Sequence, residues 1–280
     1  MKLLEGKVIA AQMREDMAKD LEKLTQAGVK PGLRVILIGN DPAAASYVRM
    51  VERRSNKDGL DASVLYLEDT ISEEDLLNEI VKLNEDPSVH GILVQMPLPK
   101  HVDKDKIIEA ISPEKDVDGF HEINAGKLYV GLDALNPCTP YGAIHMLEYS
   151  GIEISGKHAV VIGRSNVVGK PMAMLLLERN ATVTICHSRT KDLAALTKQA
   201  DILIAAAGRP HMVTADMVKE GAVVIDVGIH EVDGGITGDV DFESVKEVAG
   251  YLSPVPGGVG TTTIATLSWN TIKAALKSLS

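Results

Sequence analysis

The 280-residue chain has only two cysteines, Cys138 and Cys186, and they lie far apart in the sequence. A disulfide framework needs several paired cysteines, and a Cys/His metal site needs closely spaced ligands, so the sequence argues against both. The sequence also lacks a GxSxG nucleophile elbow, an HExxH motif and a spaced His/Asp cluster, which leaves serine hydrolase and metalloprotease chemistry without support. We therefore expect reduced thiols and no bound metal.

Long apolar runs and excess positive charge are missing as well. No run approaches the roughly 20 apolar residues that span a bilayer, and charged residues come too early in the N-terminal segment for a signal peptide. The 29 Lys and Arg are outnumbered by 39 Asp and Glu, which gives a formal net charge of −10. General affinity for nucleic acid or an anionic membrane would need a positive field. We therefore expect a cytoplasmic protein that binds a small molecule rather than nucleic acid or membrane.

Short β-branched runs alternate with helical segments along the whole chain. Buried strands are predicted at 33–39, 62–67, 90–97, 158–162, 181–186, 201–206 and 222–227. This order predicts two three-layer α/β domains, each with a parallel sheet between helices. A final amphipathic helix, 264–279, is too short to form a domain and is expected to return to the first one. The predicted domains are 1–140 plus 264–280, and 141–263.

Two connections in this scheme are predicted to be loops. Residues 40–45, NDPAAA, are rich in turn-forming residues and should lead into a helix that begins near Ser46. Residues 253–263, SPVPGGVGTTT, follow the last strand of the second domain and should precede the final helix. Ser72 is predicted to cap a further helix, because Asp75 follows it at the spacing of a capping box.

The segment from Gly163 to Pro171 has the layout of a dinucleotide-binding turn. It reads GxSxxxG between a predicted strand and a predicted helix, with Ser165 in place of the second glycine of the usual fingerprint and one extra residue before Gly169. Pro171 falls in the first helical turn, where a missing N–H is not needed. Such a turn lets backbone N–H groups and the helix N-terminus bind a pyrophosphate. The alternative is an ordinary strand-to-helix turn, but its place between two βα units favours a nicotinamide dinucleotide.

The end of the next predicted strand favours NADP over NAD. NAD sites usually place Asp or Glu about 20 residues beyond the glycines, where it binds the ribose 2′-OH. This chain has His187, Ser188 and Arg189 there, and Arg164 lies in the turn itself. Arginine and a hydroxyl can hydrogen-bond a 2′-phosphate that a carboxylate would repel. Asp192 lies close enough in the sequence to keep NAD possible.

Several motifs in one register resemble a single family. The main ones are GNDPAAASYV (39–48), GILVQMPLP (91–99), SPEKDVDGFHEINAGKL (112–128) and GRSNVVGKP (163–171). They are supported by PCTP (137–140), CHSRT (186–190) and PVPGGVG (254–260). On these motifs the chain resembles the methylenetetrahydrofolate dehydrogenase/methenyltetrahydrofolate cyclohydrolase family over essentially its whole length. The resemblance implies a folate-binding catalytic domain, a Rossmann-type domain and a homodimer.

The resemblance also implies roles for individual residues. Tyr47 corresponds to the tyrosine that stacks on the folate ring, Gln95 to the active-site glutamine, and Asp118 to the residue that holds the pterin. A carboxylate suits that last role because it can accept two parallel N–H bonds from the pterin. Asp116, in the same KDVDG motif, is expected to be a turn or cap residue. Further cofactor contacts are implied at Gly228 and Ile229, and further substrate contacts at Val51, Pro256 and Gly257.

Val51 departs from the family pattern. The family has Tyr-x-x-x-Lys on this helix, and the lysine handles protons in the cyclohydrolase step, whereas this chain has Val51 at that position. One helical turn separates Tyr47 from Val51, which places both on one face. Arg54 is nearby but is a poor base because it stays charged, and Lys57 lies off that face. We therefore predict retained dehydrogenase activity and absent or strongly reduced cyclohydrolase activity. Thr261–Thr263 are a milder departure, because the family commonly has Pro and Met after PVPGGVG.

Three other interpretations are open. The nearest is an ordinary bifunctional enzyme in which Gln95, Asp118 and a bound water carry out the hydrolysis despite Val51. A second is another two-domain NADP oxidoreductase, such as a shikimate-dehydrogenase-like enzyme, which would need a Lys and an Asp facing the nicotinamide. The third is a non-catalytic protein that senses folate or NADP.

Overall fold

The structure is a computed structural model that describes residues 1–232 and 234–279. The strands in chain order are β1 (Lys2–Leu3), β2 (Gly32–Ile38), β3 (Asp61–Leu67), β4 (Gly91–Val94), β5 (His158–Ile162), β6 (Thr182–Cys186), β7 (Ile202–Ala205), β8 (Val223–Asp226), β9 (His230–Val232), β10 (Gly235–Thr237) and β11 (Tyr251–Leu252). The helices are α1 (Gly6–Gln26), α2 (Pro42–Lys57), α3 (Glu73–Glu85), α4 (Lys104–Ala110), α5 (Glu122–Tyr129), α6 (Cys138–Tyr149), α7 (Gly169–Glu178), α8 (Leu193–Thr197), α9 (Phe242–Val245) and α10 (Val259–Lys277). None of these helices is both long and apolar enough to cross a membrane.

The chain divides into two compact α/β units. The small-sheet unit contains residues 13–138 and the chain from residue 264 onward. The large-sheet unit contains residues 1–12 and 139–263. The domain boundary expected from the sequence placed residues 1–12 in the other unit. They belong to the large-sheet unit because β1 pairs in parallel with β11, with Leu3 opposite Leu252.

The small-sheet unit is built around three parallel strands in the order β3-β2-β4. The central strand β2 is almost entirely apolar, and Val35 and Ile36 have no exposed surface. A continuous apolar run is typical of a parallel strand that is covered on both faces. Leu76 of α3 and Ile107 of α4 belong to the cluster that covers one of these faces. Because all three strands run the same way, the segments that follow β2 and β4 lie at one edge of the sheet.

Helix α2 begins at Pro42, so the start predicted near Ser46 is wrong by four residues. Asp41 is the N-cap, and its carboxylate accepts a hydrogen bond from the Ala44 N–H at 2.7 Å. Proline is favoured in the first helical turn because its missing N–H is not needed there. The residues that indicate a loop in the sequence therefore form the N-cap and the first turn of the helix. The predicted cap of α3 is confirmed, since Ser72 Oγ accepts from the Asp75 N–H at 3.0 Å.

The large-sheet unit contains a six-stranded sheet in the order β1-β11-β8-β7-β5-β6, in which every pair is parallel. Its core includes Val160, Leu203 and Val224 on three neighbouring strands, all without exposed surface. The loops that follow β5, β6, β7 and β8 therefore lie along the carboxyl edge of the sheet. In open α/β sheets this edge is where ligands bind.

Helix α10 differs from its prediction in two ways. It begins at Val259, so Thr261–Thr263 are helical and do not form a loop. The hydroxyls of Thr262 and Thr263 both donate to the Val259 carbonyl, at 2.9 and 3.0 Å, which satisfies these polar groups within the helix. The helix is also buried on most faces, whereas the sequence predicts an amphipathic one. Its buried polar residues are Thr262, Thr266, Ser268, Asn270 and Thr271.

Candidate active site

The turn between β5 and α7 in the large-sheet unit depends on two glycines. Gly163 has a φ of +134°, and a Cβ at this position would lie 2.2 Å from the Ala206 carbonyl oxygen. A Cβ on Gly169 would lie 2.2 Å from the Gly163 carbonyl oxygen. Only glycine allows the backbone to approach this closely. Both glycines are therefore required for the close backbone packing of this strand-to-helix turn, which is one role of the glycines in a dinucleotide-binding turn.

The Ser165 side chain is hydrogen-bonded to the backbone of the same turn. Its Oγ accepts hydrogen bonds from the Val168 N–H at 3.1 Å and from the Gly169 N–H at 3.4 Å. These bonds cap the start of α7, and the serine O–H can still donate to a ligand. Pro171 is buried in the first turn of α7, as its position in the sequence predicts. Thus Gly163, Ser165, Gly169 and Pro171 lie together at the carboxyl end of β5.

The loop after β6 lies beside this turn. The Gly163 N–H donates to the Cys186 carbonyl oxygen at 2.8 Å, which joins the ends of β5 and β6. The two arginines predicted to bind a 2′-phosphate, Arg164 and Arg189, are both exposed, and Ser188 is exposed beside Arg189. Neither guanidinium has an ion pair with any residue that the structure describes. This edge of the sheet therefore carries two uncompensated positive charges that can bind an anion.

Asp239 holds the loop after β7. Its carboxylate has no exposed surface and accepts hydrogen bonds from three consecutive backbone N–H groups, those of Ala207, Gly208 and Arg209. Its Oδ1 also lies 2.7 Å from Nε2 of His230. Hydrogen bonds from several N–H groups to one carboxylate are strong, so they hold the loop and the side chain in one position. No local pattern in the sequence indicates Asp239 or His230, because their partners lie up to 32 residues away.

Asp226 holds the loop after β8, which carries the predicted cofactor residues Gly228 and Ile229. Its carboxylate is buried and accepts from the backbone N–H groups of Gly228 and Asp239 at 2.9 Å and of Val240 at 3.0 Å. Burial raises the pKa of Asp226 to about 6, although these three N–H groups act in the opposite direction. Gly228 is buried against Asp239, whereas Ile229 is 66% exposed. Ile229 is therefore accessible to a ligand at the carboxyl edge.

Tyr47 and Asp118 lie near each other in the small-sheet unit. Burial raises the pKa of the Tyr47 phenol, and the nearby Asp118 and Cys138 raise it further, so the phenol stays neutral. Burial also raises the pKa of Asp118 to about 7, and the neighbouring Asp116 contributes to the shift. Within the described part of the chain, the Asp118 carboxylate accepts no hydrogen bond. Its two oxygens can therefore accept N–H groups from a ligand.

Asp116 organises the loop that carries Asp118. Its carboxylate is buried and accepts from the Gly119 N–H at 3.2 Å, the His121 N–H at 2.8 Å and the Asn124 Nδ2 at 3.0 Å. The prediction that Asp116 is a turn residue is confirmed. The two carboxylates of KDVDG thus have different environments: Asp116 is saturated by protein donors, and Asp118 is not.

Gln95 lies directly after β4, at the sheet edge where α2 begins. Its backbone N–H donates to the Ile36 carbonyl oxygen at 2.9 Å, and its side-chain Nε2 donates to the Met96 carbonyl oxygen at 2.7 Å. The side chain is half-buried, and its amide oxygen can still accept a hydrogen bond. Pro256 and Gly257, the other predicted substrate contacts, are exposed in the loop between β11 and α10 of the large-sheet unit.

The structure contradicts the predicted substrate contact at Val51. The Val51 side chain has no exposed surface, because it packs on the buried face of α2 with Ala44, Val48 and Ser55. The helical spacing places Val51 on the side of α2 near Tyr47, as expected, but deeper in the core. A ligand cannot touch it without displacing its neighbours. Cys138, expected from the sequence to be a reduced thiol, lies near Tyr47 and Asp118.

The chain matches two domain models of one family. Residues 4–118 match the catalytic-domain model of tetrahydrofolate dehydrogenase/cyclohydrolase, and residues 137–279 match its NAD(P)-binding-domain model. The chain is 55% identical over 273 residues to the bifunctional protein FolD of Halalkalibacterium halodurans, covering 98% of each chain.

Solved structures show the same similarity. The bifunctional methylenetetrahydrofolate dehydrogenase/cyclohydrolase FolD of Campylobacter jejuni is 48% identical, covers 99% of each chain and superposes with a TM-score of 0.96. The FolD of Trypanosoma brucei, described as a complex with an NADP cofactor and an inhibitor, is 35% identical, with coverage of 99% of this chain and 98% of that one and a TM-score of 0.92. The two matched ranges contain Tyr47, Gln95 and Asp118 in one and the turn at 163–171 in the other.

Proposed function

The chain belongs to the tetrahydrofolate dehydrogenase/cyclohydrolase family, and from this premise we propose that it oxidises 5,10-methylenetetrahydrofolate to 5,10-methenyltetrahydrofolate with NADP as the hydride acceptor. The single observation that carries the proposal is the Asp118 carboxylate, which is free of protein hydrogen bonds in the described residues and lies beside Tyr47. This pair offers a bidentate acceptor for the N–H groups of a reduced pterin and an aromatic ring that can stack on it.

The oxidation needs little proton chemistry from the protein. One C–H bond of the methylene bridge breaks, its electron pair leaves with the hydrogen as hydride, and the lone pairs of the two bridging nitrogens stabilise the cation that remains. NADP, when bound, supplies the acceptor for that hydride. The protein must hold the donor carbon in a reactive position, and positioning alone can accelerate such a step strongly. Asp118 would orient the pterin, Tyr47 would stack on it, and Gln95 would offer an amide at the same sheet edge.

NADP is proposed over NAD because of the charges at the ends of β5 and β6. The exposed guanidiniums of Arg164 and Arg189 and the hydroxyl of Ser188 can bind a 2′-phosphate. The NADP complex of the Trypanosoma brucei relative supports the same choice. The family model itself names NAD(P), so NAD is the alternative.

We further propose that cyclohydrolase activity is absent or strongly reduced. Hydrolysis requires water to attack the methenyl carbon and protons to move, and a positioned acid or base contributes typically about 10²- to 10⁴-fold. Val51 has no proton to exchange and no exposed surface. The Tyr47 phenol, whose pKa is raised by burial, is a poor base at neutral pH.

The competing candidate is an ordinary bifunctional enzyme. Relatives that are 55% identical over nearly the whole chain are named bifunctional, which favours this alternative. One structural observation also favours it: Asp118 has a pKa of about 7, and an acid with a pKa near the working pH can both give and take a proton. Under this alternative, Asp118 would take over the task of the missing lysine.

Two assays on the purified chain test these proposals. The first follows NADPH or NADH absorbance with methylenetetrahydrofolate, and we expect turnover with a preference for NADP. The second follows loss of methenyltetrahydrofolate with the buffer-catalysed rate subtracted, and we expect a rate close to that of buffer. Absent NADPH formation would contradict the dehydrogenase, and rapid enzymatic hydrolysis would establish the bifunctional alternative. The cytoplasmic location and the homodimer stay predictions, and sedimentation velocity would test the dimer.

A further inference from the structure

Asn270 is an amide buried inside the C-terminal helix α10, with 1% of its surface exposed. Burying an amide is unfavourable unless its hydrogen-bonding groups are satisfied. The Asn270 Nδ2 donates to the Val117 carbonyl oxygen at 2.8 Å and to the Asn136 carbonyl oxygen at 2.9 Å. Both hydrogens of the amide therefore bind backbone carbonyls, on two segments more than 100 residues away in the sequence.

The two carbonyls belong to the segments around Asp118. Val117 directly precedes Asp118, and its carbonyl oxygen also accepts from the Cys138 thiol at 3.1 Å. The other segment, 135–138, runs against the same loop. A Cβ on Gly119 would lie 2.5 Å from the Pro137 nitrogen, so the two backbones are in direct contact there. Asn270 thus joins both segments at the base of the Asp118 side chain.

This arrangement matters because the Asp118 side chain has no hydrogen bond of its own in the described residues. The orientation of the Asp118 carboxylate therefore depends on the backbone segment that carries it. Asp116 holds the C-terminal side of that backbone through the Gly119 and His121 N–H groups. Asn270 holds the N-terminal side through the Val117 carbonyl. A bidentate acceptor works only when both oxygens meet their donors, and a displacement of about 1 Å can reduce activity about 100-fold.

We propose that Asn270 is a positioning residue for pterin recognition: acting through the Val117 and Asn136 carbonyls, it aims the Asp118 carboxylate at the substrate. The role rests on the proposed function, since it assumes that Asp118 binds the pterin. It extends the substrate site into the buried interior of α10, beyond the PVPGGVG motif, which ends in the first turn of that helix.

The test compares Asn270→Leu with Ser268→Ala. Leucine has a similar volume but leaves the two carbonyls without their donor. Ser268 is a matched control because it is buried on the same helix, and its hydroxyl bonds Asp58 and Ser55, away from the Asp118 loop. Asn270→Ser is a milder second variant that keeps one hydroxyl donor, for use if the leucine variant does not fold. All proteins are assayed well below their own melting temperatures.

Two quantities are measured for each variant: the KM values for methylenetetrahydrofolate and for NADP, and the Kd for 5-formyltetrahydrofolate, which carries the same pterin but cannot donate the hydride. We expect the folate KM and the Kd to rise about 10- to 100-fold in Asn270→Leu and less in Asn270→Ser, with the NADP KM unchanged. Ser268→Ala should lose stability and leave both folate values unchanged.

Two results would overturn the inference, and they are distinguishable from failure of the proposed function. If the folate KM and Kd stay at parent values in folded Asn270 variants, or if Ser268→Ala raises them equally, Asn270 has only a structural role. If the parent chain neither reduces NADP nor binds 5-formyltetrahydrofolate, the proposed function fails and the role of Asn270 fails with it.

Discussion

The Nε2 atom of His230 lies 2.7 Å from Oδ1 of Asp239, a carboxylate with no exposed surface. Together with the backbone N–H groups of residues 207–209, this contact leaves Asp239 fully engaged. The pair connects the loop after β7 to the segment that follows Ile229, at the edge of the sheet where the dinucleotide should bind. A carboxylate used in this way holds the shape of a binding loop without touching the ligand.

Asp239→Asn should weaken both the fold and cofactor binding. The amide NH2 group of asparagine would face backbone N–H groups and cannot accept hydrogen bonds from them. Leaving buried N–H groups without an acceptor costs about 1–3 kcal/mol each. We expect a lower free energy of unfolding in urea and a higher Kd for NADPH, measured by fluorescence, with the folate KM unchanged below the melting temperature. Exposed Glu231→Gln is the control and should change neither. An unchanged Kd for NADPH would show that the loop does not take part in binding.

Asp118 should make the folded state less stable as the pH rises. In the unfolded chain its pKa is close to the ordinary value of about 4, whereas in the folded chain it is about 7. Between these values the folded state retains a proton that the unfolded state has released, so stability falls with rising pH. Asp118→Asn removes this effect. Its melting temperature, relative to the parent, should therefore be higher at pH 8 than at pH 4, while exposed Asp69→Asn should show no such trend.

The same group should shape the pH profile of catalysis. Only the ionised carboxylate accepts two N–H bonds, and kcat/KM reports ionisations of the free enzyme. We expect kcat/KM for methylenetetrahydrofolate to rise with pH and level off above about 7, following the Asp118 pKa. A profile that is flat between about pH 6 and pH 8 would contradict this assignment.

Val51→Lys should increase hydrolysis of methenyltetrahydrofolate. A lysine at this position supplies the missing proton-handling group, and the gain should reach about 10²-fold or more. The longer side chain enters a fully buried position, so we also expect overpacking to lower the free energy of unfolding by about 1–3 kcal/mol. Val51→Met matches much of the added length without the amine and controls for packing. Equal hydrolysis by the two variants would show that the lysine amine has no effect at this site.

Arg189→Ala should reduce the preference for NADP over NAD. Charge-assisted hydrogen bonds contribute about 1.5–3 kcal/mol, which corresponds to about 10- to 100-fold in the ratio of kcat/KM values. The change should appear as a lower kcat/KM with NADP, because NAD has no 2′-phosphate for the arginine to bind. The neighbouring exposed Lys191→Ala separates a specific contact from a general loss of positive charge. An equal effect of the two substitutions would argue against a direct role for Arg189.

The local features of the fold could be predicted from the sequence, and the errors have identifiable causes. Apolar β-branched runs predicted the seven principal parallel strands, since a strand covered on both faces leaves few polar positions. The start of α2 was placed too late because Asp41 and Pro42 indicate a turn as readily as a helix cap. The start of α10 was placed too late because threonine has a low helix propensity, which the buried tertiary environment of this helix overrides.

The candidate site was predictable where its residues lie in contiguous motifs. Tyr47, Gln95 and Asp118 each belong to one. Asn270 and Asp239 do not, because their roles come from partners that are distant in sequence: 153 residues separate Asn270 from Val117. The complete burial of Val51 could not be predicted either. Helical spacing defines the direction of a side chain but not which residues cover it.

The pairing of β1 with β11 has a consequence for how this chain is made. Because β1 pairs with residues 251–252, the sheet of the large-sheet unit stays incomplete until those residues have left the ribosome. The small-sheet unit needs a still later residue, Asn270, whose amide bonds the Val117 carbonyl. Domains commonly fold one after another during synthesis, the N-terminal one first. Here neither unit is complete before these later residues have emerged, so the nascent chain should expose unfinished sheets to chaperones until residues 251–270 are available for folding.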